Sequence, residues 1–318
     1  MTIDHIYLSP HLDDAVFSCG GLIRQQRARG ERVLVVTVFT ESPPPESLST
    51  FARTMQRVWT DQLDPLAVRR AEDEAAMRAL GAEFIHLSHY SAMYRTDADG
   101  RHLYQGVSMF GKVNPDESDL AQTLAAQFAR LRLDHPTATM YIPLTVGNHV
   151  DHQQVNLAAR NLPGPLRYYE DFPYVVFGVL APLVFRLMGF LGRLGVRPMD
   201  NPDMKAHPLT WPALLKAFHT APPLVSGPKR AQRQVGRHIW EAQLYPIDLV
   251  AKLQDTLHYP SQVRMVFGNE YNLQRALEAY ALSLGQTLGL NIPHERLWTA
   301  LAPVPVPAQP PLTTKNPR

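Results

Sequence analysis

The stretch Val33-Leu34-Val35-Val36-Thr37-Val38-Phe39 constrains this chain more than any other. It is apolar and β-branched without the polar alternation of a half-exposed strand, which is the pattern of a central parallel strand covered on both faces. A strand of that kind needs helices on either side. Helical patterns stand where they are required: a segment ending near Ala28 and closed by Gly30, Pro65 to Leu80 capped by Gly81, Leu120 to Leu131, and Gln153 to Arg160. Further strand-like runs lie at Ile3 to Leu8, Phe84 to Leu87, Thr139 to Leu144 and Leu166 to Asp171. Strand, loop and helix alternate as βαβ units do. The expected fold is therefore α/β, a Rossmann-like, mostly parallel sheet of order 3-2-1-4-5 flanked by helices. That order brings the ends of strands one and four together at the topological switch point, where open α/β sheets bind ligands. Pro43-Pro44-Pro45 opens a connection whose Phe51, Met55, Val58 and Trp59 suit a helix packed on the surface or a lid. Lys229 to Leu257, broken at Pro246, and Leu273 to Leu284 read as further helices.

Both strand ends at the switch point carry chemistry. After the first comes Ser9-Pro10-His11-Leu12-Asp13-Asp14, an imidazole and two carboxylates within four residues. His11 and Asp14 can ligate one cation from a single loop, which leaves Asp13 as a carboxylate free to take a proton from an activated water. A plainer reading makes Asp13 and Asp14 helix N-caps beside a surface histidine. The fourth strand leads into Gly147-Asn148-His149-Val150-Asp151-His152, with two histidines flanking another aspartate. His152 beside His11 and Asp14 completes a two-histidine, one-carboxylate set with an open position, a donor set suited to Zn2+, one per chain, or to another divalent metal. In that arrangement the metal site lies at the C-terminal strand ends, Asp13 is the expected general base, and His149 is placed to stabilise an oxyanion as a donor. Asp151 is placed to hold the His149 imidazole in its tautomer and keep it charged.

At these residues the chain resembles the PIG-L / LmbE-like de-N-acetylase family of zinc-dependent N-acetylglucosaminyl deacetylases. His11-Leu12-Asp13-Asp14 with Gly20-Gly21 matches the family's first motif, and His149-Val150-Asp151-His152 its second. Arg69-Arg70-Ala71-Glu72 with Leu80-Gly81-Ala82, Tyr94-Arg95, Tyr169-Glu170-Asp171-Phe172-Pro173-Tyr174 and Tyr259-Pro260-Ser261-Gln262-Val263-Arg264 look like its landmarks in family order, so the resemblance covers roughly residues 3–281. It implies metal-dependent removal of an N-acetyl group from an amino sugar or its conjugate, with Arg69, Tyr94 and Arg95 near the substrate. A salt bridge from Arg69 to Glu72 or Asp73 accounts for that arginine equally well. Many relatives carry an aspartate where Ser91 falls, so the usual contacts to sugar hydroxyls are in question. A metal amidase acting on a non-sugar acyl amine and a non-catalytic sugar-binding protein are the alternative readings.

Composition bounds what remains. The chain has 318 residues, long enough for one large domain, and a net charge of +2 gives no global field for nucleic acid. One cysteine, Cys19, excludes an intramolecular disulfide, and the N-terminus shows no signal peptide, so a cytoplasmic protein is expected. The expected organisation is a single α/β deacetylase domain over residues 1–301, with an apolar insertion at about 175–228 and a proline-rich mobile tail over 302–318. Within the insertion, Val175 to Leu194 is almost wholly apolar but is interrupted by glycines, Pro182 and Arg186. It suits a buried helical hairpin, a peripheral membrane contact or homo-oligomer interface, or, least well, a membrane span. An N-acetylated amino-sugar conjugate with a hydrophobic aglycone is the partner such a stretch fits.

Overall fold

In the computed structural model, residues 2–176 and 240–301 are described. β1 (His5–Ser9) and β2 (Val33–Thr37) are the strands that the apolar pattern requires, and β2 is buried along its whole length. They pair in parallel, Ile6 against Leu34, and the other edge of β1 pairs with β4 (Thr139–Pro143), Ile6 against Met140. β3 (Glu83–His86) joins β2, and β5 (Leu166–Tyr169) joins β4, again in parallel. The expected order 3-2-1-4-5 is thus present. Two more strands extend it: β7 (His294–Ala300) pairs antiparallel with β5, and β6 (Trp240–Pro246) antiparallel with β7, giving a sheet β3-β2-β1-β4-β5-β7-β6 among the described residues.

β6 corrects the reading of Lys229 to Leu257 as helical with a break at Pro246: the break stands and a helix follows it, but the described part before it, from Trp240, is a strand, and residues 229–239 lie outside the described residues. Trp240 to Pro246 forms seven residue pairs with β7, and the helix begins only afterwards as Leu249–Thr256. The reason is tertiary: the parallel sheet ends in an open β5 edge, and a two-stranded ribbon covers it. Trp240 contributes by packing edge-on to Tyr168 of β5, with ring centroids 4.8 Å apart.

Helices α1 (Asp14–Ala28), α2 (Thr50–Trp59), α3 (Pro65–Leu80), α4 (Ser118–Asp134), α5 (Val150–Ala159), α6 (Leu249–Thr256) and α7 (Glu270–Gln286) cover the sheet. Local chemistry marks their ends. Asp64 accepts the Ala67 amide to cap α3, Pro65 occupies the first turn, and Gly81 closes the helix at φ 68. The main core runs from Ile6, Leu8, Val33 and Val36 through Phe17, Ile23 and Phe128 to Leu273 and Leu297, and it buries Cys19. A second cluster lies beside the first motif, where Phe51, Met55 and Trp59 of α2 pack on Leu12, Met93 and Tyr94. α2 is accordingly a packed surface helix, the first of the two forms its sequence suits.

No described helix is long and apolar enough to cross a membrane. Val175 and Val176 are buried in the core. The rest of the apolar insertion and the proline-rich tail lie outside the described residues, as do His219 and His238.

Candidate metal and catalytic site

β1 and β4 are neighbours whose onward helices start from the same edge of the sheet, so the loops after them face each other. The first loop ends at Asp14, the first residue of α1. Asp13 sits at the N-cap position of α1 without a side-chain cap hydrogen bond, which removes the capping account of that carboxylate. The second loop is tightly wound, with Gly147 at φ 97 and two non-glycine residues, Thr145 (φ 67) and Asn148 (φ 64), in the left-handed region. Such backbone is held only where its surroundings over-determine it, and it gathers at functional sites. Here Asn148 donates from Nδ2 to the carbonyl of Gly111 at 2.7 Å, and Gly147 must stay a glycine because a Cβ would come 2.6 Å from the Tyr174 ring.

The two loops bring His11, Asp14 and His152 together. Asp14 Oδ2 lies 3.0 Å from His11 Nδ1 and 3.3 Å from His152 Nε2, and it also accepts the His11 amide at 2.8 Å. The donor atoms of these three residues lie within 4.8 Å of one another. His152 Nε2 is buried and off the hydrogen-bond line to Asp14, so this nitrogen has no hydrogen-bond partner. A buried orphan nitrogen facing a carboxylate and a second imidazole fits a divalent cation, and the mixed nitrogen and oxygen set suits zinc or a neighbouring transition metal. His11, His149 and Asp151 form a second cluster of comparable spacing. There, however, Asp151 is already taken: Oδ2 pairs with His11 Nε2 at 2.9 Å and accepts the Ala92 amide at 3.0 Å, while Oδ1 accepts from Arg95.

The electrostatics follow from burial and charge. Burial alone pulls the His11 and His152 pKa values down, yet Asp14 raises both, with Asp151 helping at His11 and Asp171 at His152, which is lifted to about 10. Burial opposes ionisation of Asp14, but the two imidazoliums hold it well below its ordinary value. Asp13 behaves differently. Burial pushes it up to about 7, Arg69 offsets only part of this, and Asp14 adds to it. Of the two adjacent aspartates, one is thus fixed as an anion while the other is poised to exchange a proton.

His149 differs from expectation in its partners. Its Nδ1 accepts the Asp151 amide at 3.2 Å and lies 3.9 Å from the Asp151 carboxylate, whose short contact is to His11 instead. The backbone therefore sets the tautomer, which leaves the proton on Nε2. Burial drives the His149 pKa well below its usual value, outweighing the pull of Asp151, so the ring is neutral. The neighbouring His11 and His152 imidazoles push the same way as burial, and the ring sits in aromatic surroundings: Phe110 packs edge-on at 5.1 Å and Tyr174 lies at 6.4 Å.

Arg69 reaches neither Glu72 nor Asp73. It donates to the Leu12 carbonyl at 3.3 Å and to Asp13 at 3.4 Å, and its guanidinium lies over the Trp59 ring. Glu72 accepts instead from Ser261, and Asp73 pairs with His86 and accepts from Tyr259. Tyr94 is buried, with its hydroxyl accepting from Gln56 at 2.8 Å. Arg95 is held between Asp151 and Glu117 and lies over the Phe39 ring. Both of these side chains thus spend their polar groups on protein partners. Ser91, at the position of the missing aspartate, precedes the short helical turn Ala92–Tyr94 whose first amide binds Asp151. Glu117, Phe110, Tyr174 and Asp171 were given no role in the site by the sequence. Asp171 and Tyr174 carried a signal, as parts of the Tyr169 to Tyr174 landmark at a strand end beside the switch point.

Residues 6–162 match the family model described as PIG-L: GlcNAc-PI de-N-acetylase. This stretch is a PIG-L family domain. It spans β1 to α5 and so contains both metal motifs, whereas Asp171 and residues 240–301 lie beyond the match. Two curated relatives of this chain are 2'-N-acetylparomamine deacetylases. The one from Streptomyces fradiae is 31% identical over 176 residues, covering 53% of this chain and 57% of that protein. The one from Niallia circulans is 24% identical over 184 residues, covering 53% and 66%. The chain thus aligns with less than two thirds of the length of either. A solved structure of a teicoplanin deacetylase in a zinc-inhibited form matches with a TM-score of 0.65 at 24% identity, over 93% of this chain and 97% of that one. That likeness carries the fold, and it extends well beyond the PIG-L domain.

Proposed function

We propose that the protein is a divalent-metal-dependent N-deacetylase that removes an acetyl group from an N-acetylated amino-sugar conjugate. The observation that carries this reading is the convergence of His11 Nδ1, Asp14 Oδ2 and the unpartnered His152 Nε2 beside Asp13, a half-buried carboxylate that makes no cap hydrogen bond and whose pKa rises to about 7. The comparisons support the substrate class, because the curated relatives act on an N-acetylated amino sugar and the structural neighbour is a teicoplanin deacetylase.

Under this reading His11, Asp14 and His152 would hold the metal, which when bound supplies Lewis acidity toward water and the amide carbonyl. Asp13 takes the proton of the attacking water and delivers it to the departing amine. Arg69, 3.4 Å away, keeps the Asp13 carboxylate oriented and limits its pKa rise. His149 donates its Nε2 proton to the carbonyl oxygen as negative charge develops there, and does so as a neutral ring, which is the form that burial enforces. Asp151 serves His11 through its carboxylate and His149 through its amide, so one residue aligns two imidazoles.

Zinc is the first metal to test, although the zinc-inhibited neighbour supports measuring several ions at more than one concentration. The experiment is acetate release from a panel of N-acetylated amino-sugar conjugates and simple N-acyl amines, with Zn2+, Co2+, Mn2+ or Ni2+ supplied at one equivalent and in excess. Acetate release from the sugar conjugates that requires metal supports the reading. Turnover of simple N-acyl amines alone would replace the sugar part of it, and metal binding without turnover of any compound would leave a non-catalytic binding protein.

A further inference from the structure

The residue after the Glu170 landmark has no assigned task. Asp171 is fully buried, as is His152, and its Oδ1 lies 2.6 Å from His152 Nδ1. Its other oxygen accepts the Val146 amide at 2.8 Å, from the loop that carries His149. The chain holds Asp171 from both sides. Glu170, before it, accepts from Arg296 and Trp298 of β7 and from Tyr280 of α7, and the amide of Phe172, after it, donates to Ser18 Oγ in α1. Successive residues of an extended chain point in opposite directions, so anchoring Glu170 on the β7 side turns Asp171 toward the site. A carboxylate that binds one nitrogen of an imidazole fixes its proton there and presents the other nitrogen. At His11 the arrangement is reversed, with Asp151 on Nε2 and Nδ1 facing Asp14.

We infer that Asp171 is a positioning residue for the metal site, which selects Nε2 of His152 as the ligating nitrogen while Asp151 selects Nδ1 of His11. This rests on the proposed reading of His11, Asp14 and His152 as ligands. It extends the site beyond the PIG-L domain, to a carboxylate whose neighbour Glu170 is anchored by one strand and one helix from the C-terminal part of the chain.

The test uses the full chain and zinc. Metal dissociation constants, measured by chelator competition, are compared for the wild type, Asp171→Ala, Asp171→Asn, His152→Ala and the double variant Asp171→Ala with His152→Ala. Removing such an outer partner typically weakens metal binding by about 10–100-fold. That loss is expected in both Asp171 variants, because an asparagine cannot accept from His152 Nδ1 and from the Val146 amide at once. It is expected to vanish in the His152→Ala background, where a purely structural role for Asp171 would still show. Nitrogen-15 NMR of the zinc-loaded wild type is expected to give His152 with its proton on Nδ1 and metal on Nε2, and His11 the reverse. Metal on Nδ1 of His152 overturns the inference even if no variant folds. Undiminished affinity in both Asp171 variants, with loss in His152→Ala, overturns this inference alone. Undiminished affinity in His152→Ala overturns the ligand reading and this inference with it.

Discussion

Replacing Asp13 by asparagine is expected to raise stability and destroy turnover, and the two effects have one cause. The Asp13 side chain is half-buried beside Arg69, and its pKa rises from 3.8 to about 7. A carboxyl group whose pKa is higher in the folded state binds its proton more tightly there, so ionising it opposes folding. The sign is therefore fixed. The penalty is absent below the unfolded value near 4, grows as pH rises toward 7 and is constant above that. Three pKa units at about 1.4 kcal/mol each give a ceiling of about 4 kcal/mol. Asparagine has the same shape and no charge, so metal-free Asp13→Asn is expected to match the metal-free wild type near pH 4. At pH 8 it is expected to be more stable by as much as about 4 kcal/mol, a ceiling that already includes the attraction of Arg69. Thermal unfolding of both proteins after chelation, at pH 4, 6 and 8, measures this. A bound cation next to Asp13 would lower its pKa, so the comparison belongs to the metal-free protein. In the metal-loaded state the same substitution is expected to reduce acetate release by about 10²–10⁴-fold, the usual loss when a general base is removed. Equal unfolding curves at all three pH values, or a wild type that is the more stable at pH 8, would refute the account of Asp13 as a carboxylate held ready at the expense of stability.

Three other substitutions test how the site is supported. Gly21→Ala places a Cβ 2.7 Å from Ile247 Cγ2 and 2.8 Å from Ile247 Cβ, so a loss of about 1–3 kcal/mol is expected in denaturant unfolding. Gly147→Ala combines a positive φ with a clash against Tyr174, and is expected to lower acetate release more than Gly30→Ala, where the added Cβ meets nothing. Arg95→Leu leaves Asp151 and Glu117 buried without their shared cation, and is expected to destabilise by about 3–5 kcal/mol in the same unfolding assay.

What could be read from the sequence divides along physical lines. The parallel sheet was legible because its strands are buried on both faces and announce themselves as apolar runs, and its order follows from the placement of the helices between them. β6 and β7 were not legible. β6 is half-exposed and carries Glu241, Gln243 and a terminal proline, and β7 places His294, Glu295 and Arg296 at buried positions. His294 binds the nearby Ile292 carbonyl, but Glu295 and Arg296 are buried against partners far away in sequence. Glu295 accepts from Lys252 and from the amides of Gly21 and Leu22, and Arg296 pairs with Glu170. No local pattern can reveal such a pairing.

The same distinction governs the site. His11, Asp13, Asp14 and His152 could be named from two short motifs because each motif follows a strand whose end is fixed by the parallel sheet. The assignments that shifted were those of residues whose partners depend on the third dimension. Arg95 turned from the substrate to Asp151 and Glu117, and Asp151 turned its carboxylate from His149 to His11. A largely buried guanidinium or a fully buried carboxylate goes to whichever opposite charge the fold brings within reach, and the chain between Tyr94 and Asp151 supplies several. The residue types that a metal-hydrolase site needs are thus visible in sequence as candidates, whereas the groups that orient them are fixed by packing. That is why the buried carboxylates on the far side of both histidines, Asp151 and Asp171, are where the fold has the most control over this site and where the motifs alone say least.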